Sequence, residues 1–185
     1  MSEDVLVSVI MGVYNGADTI ESAVQSILKQ THQKLELIIC DDASTDDTWS
    51  LLQKWVQNDS RIRLLRNSKN EGAAIARNRC LEQASGDFVA IMDADDISMP
   101  RRLELQLSFL EKHRGISFVG SRGEFFSDHL GDLKKTYWFI DAPQKRDFLM
   151  TLPFVHASLM FRAEVLRALG GYSDSKVVKR SEDYD

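Results

Sequence analysis

Phe88-Val89-Ala90-Ile91-Met92-Asp93-Ala94-Asp95-Asp96 sets five apolar residues directly against three carboxylates within four positions. A short apolar run of this kind reads as a buried strand, with the acids at its carboxyl end. Side chains of an extended chain alternate with period two, so Asp93 and Asp95 point to the same side. Two carboxylates that close repel each other. The arrangement is costly unless a positive group sits between them or one acid stays protonated. A hard divalent cation bound by oxygen ligands answers it, with phosphate as the other ligand.

The residues upstream repeat the theme. Residues 5–11 read as an apolar strand and 12–16 as a turn. Asp18, with Glu21 three positions on, has the pattern of a capping box. The helix it opens carries Ile20, Val24, Ile27 and Leu28 on one stripe and ends near Gln30. Residues 35–40 are a second strand. Thr45-Asp46-Asp47 opens a second helix with Trp49, Leu52 and Val56 facing inward. Residues 61–65 are a third strand, 71–84 a third helix, and Pro100 sits in the first turn of a helix reaching about residue 113. Strand and helix in this rhythm predict an α/β fold, a mostly parallel twisted sheet with helices on both faces. Parallel strands end on one edge, and ligands bind there, near the point where strand order reverses. Tyr14-Asn15, Asp41-Asp42 and Asp93 to Asp96 would then converge.

Downstream the rhythm changes. Residues 116–126 and 134–140 look like strands joined by a polar turn at 127–132, which predicts a hairpin or mixed-direction edge. A short helix is expected over 144–151, a strand over 157–161, and a helix over 163–168 closed by Gly170-Gly171. Residues 172–180 are polar and read as mobile. At 185 residues the chain is one domain by length. Within it, all three polar strand ends fall in 1–96, and 97–185 is the other half.

A net charge of -5, with no basic stripe, argues against a nucleic-acid-binding surface. No apolar run approaches the roughly 20 residues that span a bilayer. The start, Met1-Ser2-Glu3-Asp4, has neither the basic nor the apolar region of a signal peptide. Cys40 and Cys80 read as buried thiols in a reducing compartment rather than a disulfide frame. The expected location is cytoplasmic. Oligomeric state is unreadable.

Each candidate residue has a structural alternative. The acids at 93–96 could form only a turn feeding the next helix. Asp41 and Asp42 could serve the turn, or accept hydrogen bonds from a nucleobase or ribose, while Ser44, Thr45 or Asp46 caps the helix. Asn70-Glu71-Gly72 opens a helix without the G-K-[ST] ending of a P-loop. Arg77 on that helix is either exposed or aimed at the acidic edge, where it could steady Asp93 or a phosphate. His156 lacks a second His at metal spacing, so zinc is not expected. Glu182-Asp183 follows a possible cap at Ser181, or is an acidic tail.

Taken in order, these blocks resemble glycosyltransferase family 2, the inverting family with the GT-A fold. The matching pieces are the opening strand through Gly12-Val13-Tyr14-Asn15 and Gln30-Thr31 through Asp41-Asp42-Ala43-Ser44-Thr45-Asp46. Asn70-Glu71-Gly72 with Ala76-Arg77-Asn78 follows, then 85–96 with Pro100 and Arg102-Leu103. Gly170-Gly171-Tyr172 and Glu182-Asp183 complete the set. The resemblance implies a nucleotide-sugar donor, with a UDP-sugar the commonest choice, and a glycan or lipid-linked acceptor in surface-polysaccharide synthesis. It implies Tyr14 stacking on the base near Gly12 and Val13, Asp42 bonding the base, and Arg77 supporting the nucleotide site. Asp93 would contact ribose or the cation's water shell, and Asp95 would ligate Mg²⁺ or Mn²⁺. Asp183 would be the catalytic base, with His156 and Glu182 on the acceptor side. A lipid-linked acceptor would place the protein at the inner membrane surface. The 1–96 half would be the nucleotide-sugar-binding half and 97–185 the acceptor side, and family members continue into further helices after the Glu-Asp block. The alternatives are a non-catalytic nucleotide-sugar-binding fragment, and a phosphohydrolase using Asp93 as nucleophile. The second lacks the Lys and Ser/Thr blocks it needs.

Overall fold

Six of the seven residues from Val7, all but Gly12, and all seven from Leu35 are buried, as strands covered on both faces must be. The computed structural model describes residues 4–126, 133–136 and 155–173. Strands β1 (Val7–Val13), β2 (Leu35–Asp41), β3 (Ile62–Arg66) and β4 (Phe88–Ile91) alternate with helices α1 (Ile20–Leu28), α2 (Thr48–Asn58) and α3 (Ala73–Gln83). Helix α4 (Arg102–Lys112) follows, then β5 (Phe118–Val119), β6 (Glu124–Phe126), β7 (Leu133–Thr136), β8 (Met160–Arg162) and α5 (Ala163–Ala168).

The main sheet has the order β3-β2-β1-β4-β8-β5. β1 pairs in parallel with β2 and β4, and β2 with β3. β8 is antiparallel to β4 and to β5. This is the α/β fold expected, with a mixed-direction edge. The period of two divides the strands between two cores. Val7, Val9, Met11, Leu37 and Ile39 pack with α1, Leu52 of α2 and Leu103, Leu107 and Leu110 of α4. Ile10, Ile38, Val89 and Ile91 pack on the other face with Ala76, Cys80 and Leu81 of α3 and Leu166 of α5. Cys40 and Cys80 are both free and buried in this second core.

Several local expectations differ from the structure. β1 lies two residues later than expected, because Gly12 and Val13 continue the pairing to Cys40 and Asp41. Asp18 does not cap α1. The cap position is Thr19, with no side-chain cap bond, and the Gly16 carbonyl takes the amides of Thr19 and Ile20. Val56 is 37% exposed, while Leu51 and Trp55 pack beside Leu52. The single strand expected at 116–126 splits into β5 and β6 in different sheets. Between them Ser121 turns its amide to the Ser158 hydroxyl at 2.9 Å rather than to a strand partner. β6 and β7 do form the antiparallel hairpin arms. The strand expected at 157–161 begins instead as a 3₁₀ turn, His156–Ser158, where Leu159 donates to the His156 carbonyl, and only then becomes β8. The turn at 127–132 and the helix at 144–151 lie outside the described residues.

Candidate active site

Strand order reverses between β1 and β4, since β1 leads one way to β2 and β3 and the other way to β4. At such a point the loops leaving two neighbouring strands diverge and leave a crevice. A cleft of about 420 Å³ opens there, lined by residues 12–16, Asp18, Thr19, Arg77, Asp93, Ala94 and Asp95. That volume suits a small-molecule ligand. Tyr14 stands at its mouth, 48% exposed.

The loop after β1 is held by side chains from the loop after β2. Asn15 has φ +52°, a conformation that Asn adopts more readily than most residues. Its amide donates to Ser44 Oγ at 2.9 Å, and its side-chain oxygen accepts from the Thr45 amide at 2.8 Å. Gly16 donates to Thr48 Oγ1 and Ala17 to Asp46 Oδ2. Asp46 also accepts from the Thr48 amide, but from the position before the cap: the cap of α2 is Asp47, with no side-chain cap bond, rather than Ser44, Thr45 or Asp46. Burial opposes ionisation of Asp46, but its hydrogen bonds from Thr48 and Ala17 outweigh this and hold its pKa low.

The acids of the loop after β4 are balanced by two arginines. Arg77, only 8% exposed, donates from Nη2 to Asp93 Oδ1 at 2.7 Å. Of the two readings of Arg77, the structure shows the one aimed at the acidic edge. Arg102, from the first turn of α4, donates to the Ile91 carbonyl at 2.6 Å, just beneath the acids. Burial pushes its pKa down to about 10, against the attraction of Asp96 and Asp93. Asp96 is pushed up to about 6, by burial first and then by repulsion from Asp93 and Asp95. Asp95 is exposed at the cleft.

Asp41 and Asp42 lie on the same sheet edge, where the Asp42 amide donates to the Val13 carbonyl at 2.8 Å. Asp41 is fully buried and pairs with Arg66 at 3.0 Å. Asp42 accepts from Asn67 Nδ2 at 2.6 Å and from the amides of Glu71 and Gly72 at 2.9 and 2.8 Å. It therefore fastens the 70–72 turn, where Gly72 has φ +100°, and is not part of the cleft lining. His156 does not line the cleft and bonds Tyr172 Oη through Nε2 at 3.0 Å. Glu182 and Asp183 lie outside the described residues.

Of the strand ends expected to converge, Tyr14, Asn15, Asp93 and Asp95 line one cleft together with Gly12, Val13 and Arg77, whereas Asp41, Asp42 and Asp96 are not in its lining. Asp18, expected only to start a helix, and Thr19, not singled out by its sequence setting, both line it as well. Their position directly after the Gly16 turn, at the end of the first strand, was the available signal. Among the described residues no group of three or more His, Cys, Asp or Glu forms a cage able to hold a metal by itself.

A nucleotide-sized cleft at the switch point of a mostly parallel sheet, with paired acids on its rim, defines the GT-A class of fold. The chain belongs to the family described as Glycosyl transferase family 2, which it matches over residues 8–170. It is 41% identical over 180 residues to "Putative glycosyltransferase EpsE" of Bacillus subtilis (strain 168), covering 97% of this chain and 64% of that protein. It is 43% identical over 127 residues to "UDP-Glc:alpha-D-GlcNAc-diphosphoundecaprenol beta-1,3-glucosyltransferase WfgD" of Escherichia coli, covering 69% and 49%. The mannosyltransferase PcManGT from Pyrobaculum calidifontis, solved with GDP-Man and Mn²⁺, superposes with a TM-score of 0.71 at 24% identity, over 96% of this chain and 50% of that one. The chain thus spans roughly half to two thirds of the length of these relatives. Among the described residues no helix is long and apolar enough to cross a membrane.

Proposed function

We propose that this chain binds a nucleotide-diphosphate sugar in the β1/β4 cleft and transfers the sugar, with inversion, to a hydroxyl of a glycan or lipid-linked acceptor in surface-polysaccharide synthesis. The observation that carries the reading is the convergence of Tyr14, Arg77, Asp93 and Asp95 on one cleft at the strand-order switch. The name of WfgD supports UDP as the nucleotide and a diphosphoundecaprenol-linked acceptor, which would bring the protein to the inner membrane surface. The ion seen with PcManGT supports a divalent cation, Mn²⁺ or Mg²⁺.

The donor set fits such an ion. Magnesium-type sites use one or two carboxylates, with phosphates and water completing the shell. Asp95 and Asp93 are two carboxylates on the cleft rim, so they suit a phosphate-bound cation rather than a cage made by protein alone. The ion would neutralise charge developing on the departing diphosphate. Tyr14 stacks on the base. The resemblance assigns a base contact to Asp42; at 2% exposed and outside the cleft lining, its carboxylate keeps one acceptor position beyond Asn67, Glu71 and Gly72 for it. Arg77 keeps Asp93 oriented. On the other side of the sugar Asp183 removes the proton from the attacking hydroxyl, with Glu182 and His156 on the acceptor side. General-base help of that sort contributes roughly 10²–10⁴-fold. Residues 1–96 serve the donor and 97–185 the acceptor.

Calorimetric titration with UDP and Mn²⁺, set beside donor hydrolysis, tests the reading. Cation-dependent binding is expected. Binding with no turnover under any acceptor would favour a nucleotide-binding role without catalysis, and no binding would end both. Asp95→Ala alters an exposed residue and is expected to keep the melting temperature while losing the stabilisation that UDP gains from Mn²⁺. Retention of that gain would remove Asp95 as the ligand.

A further inference from the structure

Gly170 and Gly171 have φ of +81° and +79°, and they turn the chain back onto α3. Left-handed backbone in two successive residues favours glycine, and a Cβ on Gly171 would strike the side-chain oxygen of Asn78. Asn78 uses its whole carboxamide here. Nδ2 donates to the Tyr172 carbonyl at 2.7 Å, and Oδ1 accepts from the Tyr172 amide at 2.8 Å. The two residues are 94 positions apart, so this is a clip between the two halves of the chain.

The clip sets the Tyr172 ring over the neighbouring side chain on α3. The Arg77 guanidinium carbon lies 5.6 Å from the ring centroid, within reach of a cation–π contact. The other end of the ring is fixed by His156, with Oη to Nε2 at 3.0 Å and the rings edge-on at 5.5 Å. Arg77 in turn holds Asp93 at 2.7 Å. A continuous line therefore runs from His156 through Tyr172 and Arg77 to a cleft carboxylate.

We propose that Tyr172 is a positioning residue of the donor site: clipped by Asn78 and braced by His156, its ring holds the Arg77 guanidinium on Asp93. A flexible guanidinium has many rotamers, and a nearly buried one needs a partner on its face as well as at its edge. Tyr172 supplies the face and Asp93 the edge. The clip registers Tyr172 and the turn before it against α3 beside the donor cleft. The bearing on donor binding rests on the function proposed above, but the geometry of the clip does not.

Two readouts on the full 185-residue chain separate these levels. The first is water exchange of the Arg77 side-chain Nε–H by NMR, assigned with Arg77→Lys, with the Arg61 signal of the remote Asp59 pair as internal control. Tyr172→Phe keeps the ring and loses only the hydroxyl, so exchange should stay within about twofold, whereas Tyr172→Leu should speed it about tenfold or more. Asn78→Ala should speed it likewise by releasing the ring, and it serves as the second variant if Tyr172→Leu does not fold. Equal exchange in the Phe and Leu variants would mean that the ring does nothing for Arg77 and would overturn the proposal. So would unchanged Arg77 exchange in Asn78→Ala. The second readout is the affinity for UDP with Mn²⁺, expected to fall about tenfold in Tyr172→Leu and much less in Tyr172→Phe. If the exchange pattern holds while the parent chain binds no UDP, the positioning role stands and the proposed function fails.

Discussion

Glu36 shows what a single buried carboxylate does at the end of the sheet away from the cleft. It is 7% exposed and accepts from Ser8 Oγ at 2.6 Å, the Ser85 amide at 2.7 Å and Ser85 Oγ at 2.8 Å. Gly86 donates to the same Ser8 hydroxyl, and a Cβ there would lie 2.6 Å from the Leu6 carbonyl. One side chain thus binds β1, β2 and the turn into β4. Burial raises its pKa, but the bonds from Ser8 and Ser85 and the attraction of Arg63 win, and the net shift is downward from 4.5. The folded protein then binds fewer protons at Glu36 than the unfolded chain does. Its stabilisation is present above 4.5 and is lost as the pH falls through the lower folded value. Glu36→Ala, which strands buried donors, should cost about 1–3 kcal/mol at neutral pH. Urea titrations of both proteins should show that difference shrinking below pH 4.5. A gap independent of pH would mean that packing, not the charge, holds the site.

At the scale of elements, the end of α1 fastens the loop that leads from the acids into α4. Gln30 is fully buried, and its Nε2 donates to the Met99 carbonyl at 2.8 Å and reaches Ser98 Oγ at 3.2 Å. Its Oε1 accepts from the Leu103 amide at 3.0 Å, in the first turn of α4. Thr31 adds a backbone bond to the Pro100 carbonyl at 2.8 Å. Gln30→Ala should therefore cost about 1–3 kcal/mol in urea unfolding and speed amide exchange at Leu103. Gln30→Glu should be worse than Ala at neutral pH, because a carboxylate would face carbonyl oxygens with no proton to offer. Element existence was legible because apolar runs and turn residues are local signals. Contacts such as these were not, since Gln30 carries no periodic mark and its partners lie about 70 positions away. The same limit explains the misplaced details. Trp49, Leu52 and Val56 fit one helical stripe, but the inner face turned toward Leu51 and Trp55 because β1, β2 and α1 set where α2 lies. Residues 116–126 are apolar enough for one strand, and only the distant Ser158 hydroxyl shows why they break. Asp93 and Asp95 were legible because a strand end is readable from sequence and parallel topology gathers such ends, whereas the direction of Arg77, inside α3, was not. Asn78 was legible only as part of a motif, its role depending on a turn 94 residues on.

For the whole molecule, the arrangement divides labour between the two ends of one sheet. The amino ends of the strands are tied by Glu36 and Ser8, while the carboxyl ends of β1 and β4 diverge and carry the cleft. A rigid floor beneath an opening between two loops allows ligand contacts to form without rearranging the core. Binding should then be visible as local ordering rather than global change. Hydrogen exchange with UDP and Mn²⁺ should slow amides at 12–16 and 93–96, the two loops that line the cleft. It should also slow 71–72, because Asp42 joins those amides to the loop after β2. The β6–β7 hairpin lies in a separate sheet and should exchange at an unchanged rate. In Asp95→Ala the cation-dependent part of the slowing should vanish at 93–96, whereas a cation-independent remainder at 12–16 should persist if Tyr14 and the loop after β1 hold the base. Equal slowing of the hairpin and the cleft loops would instead mean that the ligand stabilises the molecule as one unit, and the switch-point crevice would lose its claim to be the donor site.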